Sequence, residues 1–122
     1  MKKTYETGII GEKTAEKYLQ KELGMVCLER RYRTKCGEID LIMLDRDTVV
    51  FVEVKTRKTG GPGSGLSAVN TAKQKRIVNA SLVYLMKMKW TGRIIRYDLV
   101  EISKDGILHI PNAFQPYGHF YH

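Results

Sequence analysis

Three observations predict a mixed α/β fold, with helices packed on one mixed sheet. Helical spacing of apolar residues appears over about 8–23 and again over about 71–89. Strand-like runs at 25–33, 37–55, 93–103 and 107–110 fall between and after those helices. The resulting order of helix, strands, long helix and strands is that of a sheet with helices on it. With 122 residues the chain is a single domain, 1–122, with one modest core. A chain of this size buries roughly 65% of its unfolded surface and needs no staples.

Residues 1–7 are polar and basic and read as a frayed lead-in. From Gly8 to Leu23, Ala15, Leu19 and Leu23 recur at helical spacing with Tyr18 beside them, and Gly24 follows as a left-handed cap. Met25 to Arg33 is a first strand that ends in the basic cluster Arg30, Arg31, Arg33 and Lys35. That cluster fits either a phosphate-facing rim or a solvated strand end.

Residues 37–55 read as a hairpin. Ile39, Leu41 and Met43 share one face of its first strand, and Glu38, Asp40, Ile42 and Leu44 the other. Val50, Val52 and Val54 alternate with Val49, Phe51, Glu53 and Lys55 on the second strand. A loop of Arg46-Asp47, or of 45–48, pairs Leu44 with Val49, Ile42 with Phe51, Leu41 with Val52 and Ile39 with Val54. A slip by one residue would set Ile42 and Phe51 on opposite sides. In this register Asp40 faces Glu53 and Glu38 faces Lys55. Two carboxylates side by side against an apolar patch destabilise the fold unless a positive charge sits between them, and a divalent metal is the simplest candidate. The alternative is a solvated sheet end.

Residues 60–65, rich in glycine, have the glycine spacing of a phosphate loop, but Leu66-Ser67 stands where such a loop needs Lys and then Ser or Thr. Nucleotide binding is excluded there, and a mobile loop beside the site is expected. Thr71 to Lys89 is a long helix with a capping-box pattern, Thr71-x-x-Gln74, and an apolar face of Ile77, Ala80 and Tyr84. Lys73 aligns with that face near its start, where it either snorkels out or reaches the carboxylates and a phosphate. In the strand from Arg93 to Ser103, Ile95, Tyr97 and Leu99 face one way and Asp98, Val100 and Ile102 the other. Asp98 reads as a structural partner for an arginine or a backbone amide. Lys104-Asp105-Gly106 turns into an edge strand, 107–110, closed by Pro111. Aromatics Phe114, Tyr117, Phe120 and Tyr121 are expected to cover the sheet or a partner subunit.

The formal charge of +8, from 21 Lys and Arg against 13 Asp and Glu, suits a polyanion partner. Cys27 and Cys36 make no disulfide framework, and His109, His119 and His122 crowd the C-terminus, so a zinc site is not expected. No signal-like segment and no long apolar run is present, which makes the cytoplasm the expected location. Glu12 points with the apolar stripe of the first helix. It serves either a metal-linked role or the helix dipole.

Asp40 followed by Glu53-Val54-Lys55 resembles the metal-dependent nuclease core written PD-(D/E)-x-K, with Ile39 where that motif has Pro. The wider pattern, Gly11-Glu12, Ala15-Glu16, Gly37-Glu38-Ile39-Asp40-Leu41-Ile42, Phe51 to Arg57, Lys73, Arg76, Ala80, Arg96-Tyr97-Asp98 and Asn112-Ala113-Phe114, resembles the YraN-type family of small bacterial proteins. The resemblance covers nearly the whole chain. It implies a restriction-endonuclease-like mixed sheet flanked by helices, related in fold to archaeal Holliday-junction resolvases. It further implies Mg²⁺ or Mn²⁺ on Asp40, Glu53 and the carbonyl of Val54, with Lys55 catalytic and Glu12 tuning the metal or its waters. Lys73, Arg76, Arg57 and Arg33 would hold phosphates of nucleic acid, DNA in the first instance, and by analogy with resolvases the protein would be a homodimer. The expected activity is a structure-selective or nonspecific endonuclease. The alternatives are a nucleic-acid-binding module on the same frame that does no chemistry, and a protein-interaction subunit with a basic surface.

Overall fold

The computed structural model describes residues 2–116, with side chains from residue 7 onward. Its elements are α1 (Lys2–Leu23), β1 (Val26–Arg33), β2 (Glu38–Asp45), β3 (Thr48–Thr56), a short 3-10 turn (Ser64–Ala68), α2 (Thr71–Met88), β4 (Ile94–Ser103) and β5 (Gly106–Ile110). The five strands form one sheet in chain order. β3 and β4 run parallel and the other neighbours antiparallel. A parallel pair needs a crossover, which α2 supplies. The mixed α/β class expected from the sequence is the class observed.

Each face of the sheet carries one helix. Ile42, Val49, Phe51, Tyr97 and Leu99 pack under Ile77, Ala80 and Tyr84 of α2. Leu41, Met43, Val50, Val52 and Val100 pack under Ala15 and Leu19 of α1. The predicted alternation of β3 and β4 is therefore the observed one. In the β2–β3 register, Leu44 pairs with Val49, Ile42 with Phe51 and Leu41 with Val52 around the two-residue loop Arg46-Asp47. Ile42 and Phe51 are fully buried, and each side chain of that kind contributes about 1.5–3 kcal/mol on burial. A slipped register would forfeit that on both strands.

Several local expectations are corrected. α1 starts at Lys2, not Gly8; no proline interrupts the lead-in, so nothing stops the helix from running back. Leu23 is exposed and outside the stripe. Asn70, not Thr71, caps α2: its side chain accepts the N–H of Lys73 at 2.9 Å. Ile39 packs with the α2-side cluster, not with Leu41 and Met43. Its strand partner Tyr32 follows Arg31, whose φ of 50° departs from strand geometry. Gly24, at φ 68°, closes α1 as expected.

The loop after β3 is anchored. The buried carboxylate of Glu101 on β4 accepts the N–H groups of Gly63 at 2.9 Å and Gly65 at 2.6 Å, and Arg57 pairs with it at 3.1 Å. These bonds replace the mobile loop read from its glycines with a strap tied to the sheet. Phe114 stacks on Tyr97 with centroids 5.1 Å apart, covering the sheet as expected. Tyr117, His119, Phe120, Tyr121 and His122 lie outside the described residues. Among the described residues no helix is long and apolar enough to cross a membrane.

Candidate active site

The β2–β3 ladder ends at the Leu41–Val52 pair. Beyond it the two strands part, so the expected pairs of Ile39 with Val54 and Asp40 with Glu53 do not form; Ile39 faces Tyr32 of β1, and Glu38 faces Arg33 rather than Lys55. Asp40 fills the gap: its Oδ2 accepts the N–H of Val54 at 2.8 Å, where a strand carbonyl would otherwise stand. Alternation sends Glu53 to the α2 side, where it lines the same cleft as Asp40 and acts on it through its charge. The two acids predicted to meet are thus together, at a fork in the sheet.

Their electrostatics follow from burial. Glu53 is 4% exposed. The Asp40 carboxyl is pushed up to about 8, first by burial, then by the charge and hydrogen bond of Glu53, against the N–H of Val54. Lys73, on the first turn of α2, places Nζ 2.6 Å from Glu53 Oε2. Burial works against the Lys73 ammonium, but its bond and charge attraction to Glu53 prevail and raise its pKa. Lys55 lies 3.9 Å from the same oxygen, and burial followed by the charge of Lys73 lowers its pKa. Positive charge beside the acids is thus supplied by two lysines, both on Glu53.

Glu12 sits at the margin. It faces Arg31 at 3.6 Å, and burial raises its carboxyl pKa although Arg31 opposes this. Arg31 was one of four basic residues in the β1 cluster. Its left-handed backbone takes it out of the strand pattern, into a cleft of about 340 Å³ shared with Glu38, Asp40, Glu53, Lys73 and Arg76. No sequence signal marks that φ angle; the acids at 12 and 38 are the only hint of a buried partner. Arg33, favoured from the sequence, is instead 66% exposed and pairs with Glu38 at 3.5 Å. Arg76 lines the cleft as predicted. Arg57 does not reach it: its side chain is 9% exposed and spent on Glu101 and the carbonyl of Gly60.

A larger cavity of about 670 Å³ lies at the opposite end of the sheet, beside the β2–β3 turn. Of its lining side chains, Arg96 and His109 are bound to buried Asp98, at 2.8 Å and 2.7 Å, and Asp98 also accepts the N–H of Asn112. This is the structural role expected of Asp98.

The chain belongs to Uncharacterised protein family UPF0102. The family model matches residues 11–102, and the YraN-type resemblance is borne out as membership. A UPF0102 protein of Geobacter metallireducens is 41% identical over 112 residues, covering 88% of this chain and 91% of its own. One from Alkaliphilus oremlandii is 42% identical over 116 residues, covering 88% and 96%. One from Syntrophus aciditrophicus is 43% identical over 103 residues, covering 84% and 80%. A solved chain titled "Crystal structure of SSO0001" aligns over 93% of this chain and 54% of that one, at 16% identity and a TM-score of 0.44. The matched span 11–102 in this UPF0102 member carries all of Glu12, Asp40, Glu53, Lys55, Lys73 and Arg76.

The donor set of this UPF0102 chain suits a hard cation. Asp40 and Glu53 supply carboxylate oxygens, and the Val54 carbonyl lies on the same edge of β3 as its N–H. Among the described residues no group of three or more His, Cys, Asp or Glu side chains is arranged to hold a metal. A cation held here would need the backbone oxygen and solvent in addition to the two carboxylates.

Proposed function

We propose that this protein is a divalent-metal-dependent endonuclease that hydrolyses phosphodiester bonds in DNA, structure-selective or nonspecific. The observation that carries the reading is the pair of half-buried Asp40 and buried Glu53, close enough that the charge of Glu53 raises the Asp40 pKa, with two lysines on Glu53 and a basic-rimmed cleft in front. Holding two acids together out of water costs stability. A module that only bound nucleic acid would gain nothing from it.

Asp40, Glu53 and the Val54 carbonyl would hold Mg²⁺ or Mn²⁺, which when bound supplies Lewis acidity toward a phosphodiester. Lys55 orients the attacking water and offsets negative charge growing on the phosphoryl oxygens. Glu12 steadies Arg31 at the cleft mouth. Arg31 and Arg76 hold flanking phosphates, contacts that carry no base code and leave the enzyme without sequence preference. The test is metal-dependent cleavage of single-stranded, flapped and four-way DNA by the parent and by Asp40→Asn, Glu53→Gln and Lys55→Ala. Each substitution should abolish cutting while the fold survives. If all three cut as well as the parent, the assignment is wrong.

A further inference from the structure

We propose that Lys73 is a built-in counter-ion, holding Glu53 until a divalent cation takes the carboxylates and then turning out to a phosphate of the bound strand. The inference rests on the metal reading of Asp40 and Glu53 and adds an exchange step to it.

Four observations support it. The Lys73 ammonium lies 2.6 Å from an oxygen of Glu53, within reach of the same carboxylate that the cation needs. Lys73 also stands in the first turn of α2, which contains no acid. The helix dipole disfavours a cation there, so Glu53, rather than the helix, stabilises this position. The Lys73 side chain is 33% exposed, so it has a path toward solvent along its flexible stem. Arg76 lines the same cleft one turn on, giving an outward-turned Lys73 a second cation with which to share a phosphate.

The charges set the direction of exchange. A divalent ion brings two positive charges to Glu53 where Lys73 brings one, and then repels the ammonium from close range. Without the ion, Lys73 offsets the buried charge of Glu53 and keeps the pair from forcing the fork apart. The exchange also couples the two ligands: the cation frees the residue that grips the strand.

Calorimetric titration with Mg²⁺ tests this in the parent, Lys73→Met, Arg76→Ala and Asp40→Asn. Lys73→Met should bind Mg²⁺ about tenfold more tightly, the size of one charge-assisted hydrogen bond no longer competing. Arg76→Ala, which removes a charge from the cleft but no such bond, should change affinity by only about twofold. Acetylation followed by mass spectrometry gives a second readout. Mg²⁺ should raise the reactivity of Lys73 several-fold and leave exposed Lys75 unchanged. If the parent binds Mg²⁺ in an Asp40-dependent way, yet Lys73→Met binds no tighter and Lys73 is no more reactive, the counter-ion role is overturned and the metal site stands. If Asp40→Asn binds Mg²⁺ as the parent does, both are overturned.

Discussion

Asp40 accepts the N–H of Val54 at 2.8 Å, just beyond the Leu41–Val52 pair where β2 and β3 cease to pair. That bond satisfies an amide that the fork would leave without a strand partner, and it fixes the Asp40 carboxyl at the fork, within electrostatic reach of Glu53.

Asp40→Asn should therefore keep the bond, through its amide oxygen, while losing the charge. Cleavage should be abolished, because one of the two carboxylates that would hold the cation is lost. Stability should move the other way. The Asp40 carboxyl titrates near about 8 in the fold against 3.8 ordinarily. An acid with a raised folded value contributes stability that is fully present below its ordinary value and lost as pH rises through the folded one. Metal-free Asp40→Asn should thus match the parent near pH 4 and exceed it in urea midpoint above pH 8. A parent more stable than the variant at pH 9 would contradict this.

Gly37 joins the turn before β2 to the start of α2. A Cβ there would lie 2.6 Å from the backbone carbonyl of Arg76. Gly37→Ala should cost about 1–3 kcal/mol through overpacking. Because the displaced segment is the turn of α2 that carries Lys73 and Arg76, DNA affinity should drop as well. Chemical denaturation together with a binding titration would separate the two effects.

Glu101 is expected to govern the strap at 63–65. Replacing it with Ala removes the acceptor of two amides and leaves the nearly buried Arg57 without its carboxylate. Breaking one side of such a pair costs about 3–5 kcal/mol. Hydrogen exchange at Gly63 and Gly65 should accelerate first, before any change in the amides of β2.

Asp98 should contribute to the acid limb of stability. Burial opposes its charge, but His109, Arg96 and the N–H of Asn112 outweigh burial and hold its carboxyl below the ordinary value. Its contribution is present above about pH 4 and lost as pH falls through the lower folded value. Asp98→Asn should cost about 1.5–3 kcal/mol at pH 7 and flatten the fall of the urea midpoint between pH 4 and 2.

The sequence alone determined the α/β class and the hairpin register from Leu41–Val52 to the turn, because these follow from local alternation: apolar residues on both faces of two adjacent strands tolerate one alignment. It placed Asp40 near Glu53, though they meet at a fork where the strands part and not as a ladder pair. It also marked Asp98 as a structural acid. The tertiary structure decided which cations reach the acids. Lys73, on a helix eighteen or more positions further along the chain, meets Glu53 only because α2 crosses back over the sheet. Arg57, two residues from Lys55, is drawn away by Glu101 from another strand, and Arg31 rather than Arg33 turns inward on a left-handed backbone. Long charged side chains have many rotamers, and their partners come from distant segments. Local pattern therefore shows where charge is needed, while packing selects the residue that supplies it.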